Sequence, residues 1–191
     1  MINPINVMVG DKVEGFTFQN VNTRYLERMI SDFQEYIVRC DNKRDQEWRC
    51  AEELVDRVTN EVKHLIDYSD ILAVSSLCNI SDILVKPWIR GRLGGLDATI
   101  DEKYSGWIAT VYQKADPQTQ LFSDDERFTI AHECGHTLFY YPGWLRNRIR
   151  TGIRVTPSRA FSRGDPLYER EEEIADHFAK SLGYNNSECL Y

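Results

Sequence analysis

The chain has 191 residues, a formal net charge of −7 and a hydrophobic fraction of 42%. This length suits one domain, or one domain with a small extension, and it is enough to bury a core without covalent cross-links. The acidic balance excludes a surface that coats nucleic acid generally, and no stretch approaches the length of an apolar helix that spans a bilayer.

The cysteine pattern and the first residues bear on the compartment. The five cysteines, at positions 40, 50, 78, 134 and 189, are odd in number and form no C-x-x-C pair. The sequence begins without the basic and long apolar regions of a signal peptide. We therefore expect reduced thiols in a cytoplasmic protein, with no membrane contact.

The first 45 residues read as a short strand followed by a helix. Residues 5–19 alternate weakly, and Val13, Phe16 and Phe18 are typical of an edge strand. Residues 22–39 carry apolar side chains at spacings of three and four, which predicts a helix. A polar break then predicts a boundary, so residues 1–45 are expected to form an N-terminal extension packed on a main domain at 46–191.

The main domain begins with a predicted helix over residues 47–68, in which His64 reads as a structural or surface histidine. From residue 71 the pattern changes to short apolar runs and turn residues. Residues 82–86, 96–100 and 107–112 are predicted strands, whereas 72–77 is ambiguous. A small sheet is therefore expected in the middle of the chain.

The stretch over residues 126–139 contains an H-E-x-x-H pattern formed by His132, Glu133 and His136. Its flanks predict an amphipathic helix with the three motif residues on the polar side. Ser123 or Asp124 can cap this helix. Gly135 falls in the apolar stripe of this helix, so close packing against a neighbouring element is expected there.

Two histidines four residues apart lie on one face of a helix, and they can share one metal ion. Glu133 beside them can accept a proton from a bound water. The alternative is a pair of surface histidines. The chain has only four histidines, and two of them fall in this pattern on one face, which favours the metal site.

A catalytic zinc site usually has three protein ligands, so a third ligand is expected from a second helix. Residues 168–183 predict such a helix, with a glycine at its end. Glu172 and Asp176 share one flank of its buried face, whereas Glu171 points into the apolar stripe and is the rival ligand. We prefer Glu172 because Asp176 can then accept a hydrogen bond from a ligating histidine. The alternative is an acidic, solvated helix start favoured by the helix dipole.

The motif at residues 127–136, followed by E-x-x-A-D-x-F-A at 172–179, resembles the ImmA/IrrE family of zinc metallo-endopeptidases. The resemblance implies an α+β fold: a compact zincin of the gluzincin type, with a small antiparallel or mixed sheet packed on helices. It also implies one zinc ion per chain, held by His132, His136 and Glu172, with Glu133 as general base. The main domain at 46–191 would then be the metallopeptidase domain.

The resemblance further implies a protein substrate, such as a helix-turn-helix repressor or the antitoxin of a toxin pair. In zincins an edge strand holds the substrate in extended form by strand addition, and we expect residues 107–112 to do so here. A tyrosine, histidine or arginine would stabilise the oxyanion. The candidates for that role are Tyr140, Tyr168 and His177.

The connection between the two predicted helices is basic in an otherwise acidic chain. It has no acidic residue before Asp165, and its six arginines are Arg146, Arg148, Arg150, Arg154, Arg159 and Arg163. A solvated loop is one interpretation of this segment. Capture of an acidic protein partner or of a nucleic-acid effector is the other.

Three functions remain to be compared. A zinc-dependent endopeptidase that hydrolyses a bond in a regulatory partner is the leading hypothesis. A regulatory protein that keeps the scaffold without cleaving is the alternative, and the intact Glu133 argues against it. A latent enzyme with its metal blocked by a thiolate is the third. Cys134 is expected in the core, whereas Cys189 could supply that thiolate.

Overall fold

The structure is a computed structural model that describes residues 3–39, 45–87, 98–103, 106–113, 121–140 and 166–185. These residues form an α+β fold, which confirms the expected class. The elements in chain order are β1 (Ile5–Val9), β2 (Lys12–Phe16), α1 (Arg24–Arg39), α2 (Asp45–Leu65), α3 (Ile71–Leu77), β3 (Ile80–Pro87), β4 (Ala98–Lys103), β5 (Gly106–Gln113), α4 (Asp124–Tyr140) and α5 (Pro166–Ser181). Within the described part, no helix is both long and apolar enough to cross a membrane.

The five strands form one mixed sheet in the order β2-β1-β3-β5-β4. Strand β3 pairs in parallel with both β1 and β5. The outer strands β2 and β4 pair antiparallel with β1 and β5. Residues 5–16 therefore form a hairpin rather than a single edge strand, and this hairpin belongs to the same sheet as the central strands.

Strand β5 lies inside the sheet, so the expectation that residues 107–112 form a substrate-binding edge is wrong. In the described part of the chain the two edges are β2 and β4. The physical reason is visible in the burial of β5, where Trp107, Ala109, Thr110 and Val111 are all at most 4% exposed. A nearly continuous buried run is typical of a strand that is covered on both faces.

The helices pack against the sheet in two layers. Helix α3 contacts β1 and β3, and α4 contacts β4 and β5. Helices α1 and α5 pack against α4, and α2 lies against both of them. The core between these layers contains fully buried side chains from every layer, including Phe33, Ile83, Trp107, Ile130 and Phe178. Helix α4 is thus enclosed between the sheet and the outer helices.

Helix α3, which the sequence left ambiguous, is buried at all seven of its positions. A helix without a solvent face has no amphipathic period, so its pattern could not distinguish it from a buried strand. Its start is fixed by Asp70, whose side chain accepts a hydrogen bond of 2.9 Å from the Leu72 amide. This N-cap was the one local signal available in the sequence.

The ends of α4 and α5 are fixed by local hydrogen bonds. Ser123 and Glu126 form a capping box: the Glu126 amide donates to Ser123 Oγ at 3.3 Å, and the Ser123 amide donates to Glu126 Oε2 at 2.8 Å. Helix α5 ends at Gly183, which has a φ of 91°. The Gly183 amide donates to the Lys180 carbonyl, and the Tyr184 amide donates to the Ala179 carbonyl, as in a Schellman motif.

Helices α4 and α5 approach each other closely at Gly135. A Cβ atom at this position would lie 2.6 Å from Ala175 Cα and 2.9 Å from the Ala175 carbonyl oxygen. Such distances are far below van der Waals contact, so only glycine fits here. This contact lies between the two motif histidines along α4, and it brings the carboxylates of α5 within reach of both.

Candidate metal centre

The two motif histidines point their Nε2 atoms at the same place. His132 and His136 lie one turn apart on α4, and their Nε2 atoms are 3.0 Å from each other. Their ring centroids are 4.8 Å apart, with 76° between the ring planes. Both side chains are largely buried, so solvent screens their interactions less than at the open surface.

Glu172 of α5 completes this group. Its Oε2 atom lies 3.2 Å from His132 Nε2, and its Oε1 atom lies 3.6 Å from His136 Nε2. Ligand atoms bonded to one tetrahedral zinc ion at about 2.0–2.1 Å are roughly 3.3 Å apart. The observed distances fit that spacing, so His132, His136 and Glu172 could hold a metal ion.

Each histidine has a carboxylate on its other nitrogen. Asp176 Oδ1 lies 2.8 Å from His132 Nδ1, as the sequence predicted. Glu171 Oε1 lies 2.9 Å from His136 Nδ1. Because each carboxylate accepts the Nδ1 hydrogen, it favours the tautomer whose Nε2 lone pair points into the site, which is the form that binds a metal.

The contact of Glu171 with His136 was missed in the sequence, which offered Glu171 only as a rival ligand. Its side chain is 8% exposed and lies on the core side of α5, as its place in the apolar stripe indicated. A buried carboxylate needs a partner. That requirement was the signal that could have pointed to the second histidine, because the first already had Asp176.

The carboxylates make this site strongly attractive to a cation. Burial alone lowers the pKa of His132, but hydrogen bonds to Asp176 and Glu172, together with the charge of Glu133, raise that pKa to about 10. The same hydrogen bond to His132 holds the pKa of Asp176 below its usual range, although partial burial opposes the shift. A proton or a metal ion compensates the negative charge here, and the two compete for His132.

Glu133 lies on the flank of α4 beside His132, where it is 8% exposed. Its charge contributes to the raised pKa of His132, the preceding residue of α4. Cys134 faces the other way: it is fully buried and its thiol donates to Ser75 Oγ of α3 at 3.6 Å. Burial raises the pKa of this thiol well above its usual value, and the expectation that Cys134 belongs to the core is confirmed.

The other candidate residues fall outside the centre or outside the described residues. His177 faces α2, where its Nε2 atom lies 2.9 Å from Asp56 Oδ1, so the structure does not bring it to the metal ligands. His64 is exposed on α2, in line with a surface histidine. Tyr140 and Tyr168 belong to α4 and α5 by their backbones, but their side chains lie outside the described part. So do Cys189 and the six arginines, which are Arg146, Arg148, Arg150, Arg154, Arg159 and Arg163.

In comparisons with known proteins, no family model, no curated protein and no solved structure matches this chain. The resemblance to the ImmA/IrrE family therefore rests on the motif residues alone. The geometry of the site does not depend on that resemblance. It consists of three convergent ligand side chains from two helices, a carboxylate on each histidine, and a buried glutamate beside them.

Proposed function

We propose that this protein is a zinc-dependent endopeptidase that hydrolyses a peptide bond in a regulatory protein partner. The observation that carries the proposal is the convergence of His132, His136 and Glu172 with Glu133 adjacent. Two imidazoles and one carboxylate are the donor set of thermolysin-type catalytic zinc sites, which leave the fourth position for water or substrate. Structural zinc sites are closed by four protein ligands, whereas three converge here among the described residues.

The ligand types also favour zinc over other ions. Imidazole nitrogen suits zinc and the late transition metals, whereas magnesium and calcium prefer oxygen ligands alone. With each histidine held by its own carboxylate, the Nε2 atoms are oriented before the metal arrives. This preorganisation supports a resident metal rather than an occasional one.

When bound, zinc supplies acidity to a water molecule and polarises the scissile carbonyl. Glu133 has the place and the chemistry of the general base: its carboxylate takes the proton as the water oxygen attacks the carbonyl carbon. It then delivers that proton to the amine nitrogen as the C–N bond breaks. The burial of Glu133 favours this role, because bulk water screens the electrostatic interactions of its carboxylate less there.

Strand β4 is the edge that we propose for an extended substrate. It is an outer strand of the sheet and it packs against α4, which carries both histidines. A peptide added to this edge gains backbone hydrogen bonds and passes beside the helix of the metal ligands. The resemblance of the motif supports a helix-turn-helix repressor or an antitoxin as the partner that supplies this segment.

The decisive experiment replaces the base and leaves the metal ligands intact. Glu133→Gln keeps the size and polarity of the side chain but cannot accept the proton. We expect peptide cleavage to fall by about 10²–10⁴-fold, the usual contribution of general acid–base catalysis. Zinc content, measured by atomic emission on protein prepared without chelators, should stay at that of the wild type.

Candidate substrates are repressors and antitoxins encoded near the gene, each incubated with the zinc-loaded protein and examined by mass spectrometry. The Glu133→Gln variant should retain the uncleaved partner as a complex. Equal biological effects of wild type and Glu133→Gln in cells would contradict the proposal, and a non-cleaving regulatory protein would then replace it.

A further inference from the structure

Strand β2, at the end of the sheet away from β4, has an unpaired and exposed edge. Residues 12–15 are all exposed, and β2 pairs only with β1 in the described part of the chain. The hairpin turn is formed by two residues, and Val9 pairs with Lys12 across it. In such hairpins this closing pair is hydrogen-bonded, and the pattern alternates from there. Val13 and Gly15 therefore direct their N–H and C=O groups outward, to the free edge.

The charged side chains along this edge are complementary to those of a second copy of the same strand. Lys12 and Glu14 flank Val13 and lie on the same face of β2. If a second copy of β2 pairs antiparallel with Val13 opposite Val13, each Lys12 lies opposite the Glu14 of the other copy. Positions of this type in an antiparallel pair are not hydrogen-bonded, and their side chains are the closest of the ladder.

This register is favoured over its neighbours. Sliding one β2 strand along the other by two residues keeps the outward N–H and C=O groups hydrogen-bonded. This slide places either Lys12 opposite Lys12 or Glu14 opposite Glu14. Like charges directly opposite each other destabilise a strand pair. Charges on an edge strand usually oppose self-association. Here, one antiparallel register places opposite charges across from each other, so they attract.

An apolar row on the face of the sheet that carries Val13 supports the same register. Val13 is 64% exposed and pairs with Met8, which in turn pairs with Leu84 of β3. Met8 and Leu84 are only partly buried. Because directly paired residues lie on one face, the three side chains form a row that ends abruptly at Val13. A second copy would continue this row with its own Val13, Met8 and Leu84 and remove apolar surface from water.

We propose that β2 binds a second copy of this chain edge to edge, about a twofold axis through Val13, to form one continuous ten-stranded sheet. The contact is isologous, because the same strand serves both partners. It does not involve strand β4, the edge proposed for the substrate. It is also independent of the metal centre, so failure of this proposal would not affect the proposed activity.

The test measures the dissociation constant of the dimer by sedimentation velocity over a wide range of concentration. Lys12→Glu and Glu14→Lys each replace two attractive pairs with two repulsive ones, so each should weaken the dimer by at least about tenfold. Glu52→Lys makes the same charge change as Glu14→Lys at an exposed position of α2, and it should leave the dimer unchanged.

Mixing the two variants tests the register itself. When a Lys12→Glu chain meets a Glu14→Lys chain, both cross-strand pairs become attractive again. The mixture should therefore form heterodimers with roughly wild-type affinity, although each variant alone associates more weakly. The double variant Lys12→Glu/Glu14→Lys should likewise recover the homodimer.

Three results would overturn the proposal. The first is a wild-type protein that stays monomeric at every concentration. The second is a dimer that both single variants form as well as the wild type. The third is a mixture of the two variants that fails to associate while the wild type dimerises.

Discussion

Helix α5 makes histidine–carboxylate contacts on two of its faces, and the two sets differ in geometry. Towards α4, its Glu172 lies between the Nε2 atoms of two histidines, whose Nδ1 atoms are held by two further carboxylates. Towards α2, His177 and Ser181 both donate to the same oxygen of Asp56, at 2.9 Å each. The residue types are alike, but in the first set three potential ligand atoms converge on one point, whereas in the second each donor meets the shared acceptor.

This difference separates a candidate metal centre from a contact that joins two helices. Three such atoms directed at one point need a proton or a metal ion between them. The contact with Asp56 needs no cation, since its donors and acceptor already match. Its side chains are partly exposed, with Asp56 at 51% and His177 at 32%, so its contribution to stability is modest. Each set can therefore be altered without the other.

The largest expected effect is the loss of the metal from the first set. His136→Ala removes one of three ligands, and the purified protein should fall from about one zinc per chain to nearly none. His177→Ala is the matched control, because it removes a histidine from the second set and should keep the full metal content. Equal zinc content in wild type and His136→Ala would mean that the metal binds elsewhere.

Separating the two helices should damage the first set and spare the second. Gly135→Ala places a methyl group against the Ala175 backbone, so α5 must shift away from α4. We expect the free energy of unfolding to fall by about 1–3 kcal/mol or more, with weaker zinc binding. Chemical denaturation and a competitive zinc titration measure the two effects.

Gly15→Ala is the control for that experiment, because its added methyl group would meet only Asn6 Oδ1, at an ordinary 3.5 Å. Its unfolding free energy should change much less. A Gly135→Ala protein with wild-type stability would show that the close approach of α4 and α5 does not constrain the site.

The carboxylates behind the histidines should have a smaller effect than the ligands. Asp176→Ala leaves His132 without its Nδ1 acceptor, and zinc affinity should fall by about 10–100-fold. Glu171→Gln keeps an acceptor oxygen for His136 and removes a charge, so its effect should be smaller than that of Asp176→Ala. A zinc titration against a chelator of known affinity compares the variants, and unchanged affinity in Asp176→Ala would separate this contact from metal binding.

The smallest effect is expected in the second set. Asp56→Ala removes the acceptor shared by His177 and Ser181, and the partly exposed contact should be worth about 0.2–1 kcal/mol of unfolding free energy. Zinc affinity should not change. A loss of zinc on Asp56→Ala would show that the two faces of α5 are coupled, contrary to the comparison.

The residues of the candidate metal centre could be predicted because each pair lies on one helix. The spacing of His132 and His136 fixes their common face, and the spacing of Glu172 and Asp176 does the same on the other helix. The preference for Glu172 over Glu171 as the residue beside both Nε2 atoms matches the observed geometry. The identity of the ion and the reaction stay predictions.

The sheet order could not be predicted in the same way. Local patterns predicted strands at residues 82–86, 96–100 and 107–112. The structure has strands at Ile80–Pro87, Ala98–Lys103 and Gly106–Gln113, and residues 96–97 lie outside the described part. The choice of neighbours, however, depends on contacts between distant segments. Strand β1 of the hairpin pairs with β3, and β4 pairs with the other side of β5. Strand β5 therefore lies inside the sheet. The expected boundary near residue 45 stays a prediction, although β1 shares one sheet with β3.

The contact at Gly135 also bears on how the chain between Tyr140 and Pro166 can vary. The two helices meet through their own backbones, and the metal ligands would add a second cross-link between them. The entropy of closing a loop grows only slowly with its length. Insertions, deletions or a single break in the connecting chain should therefore leave the helix pair assembled. Variation in the length of that connection should therefore leave the geometry of the candidate metal centre unchanged.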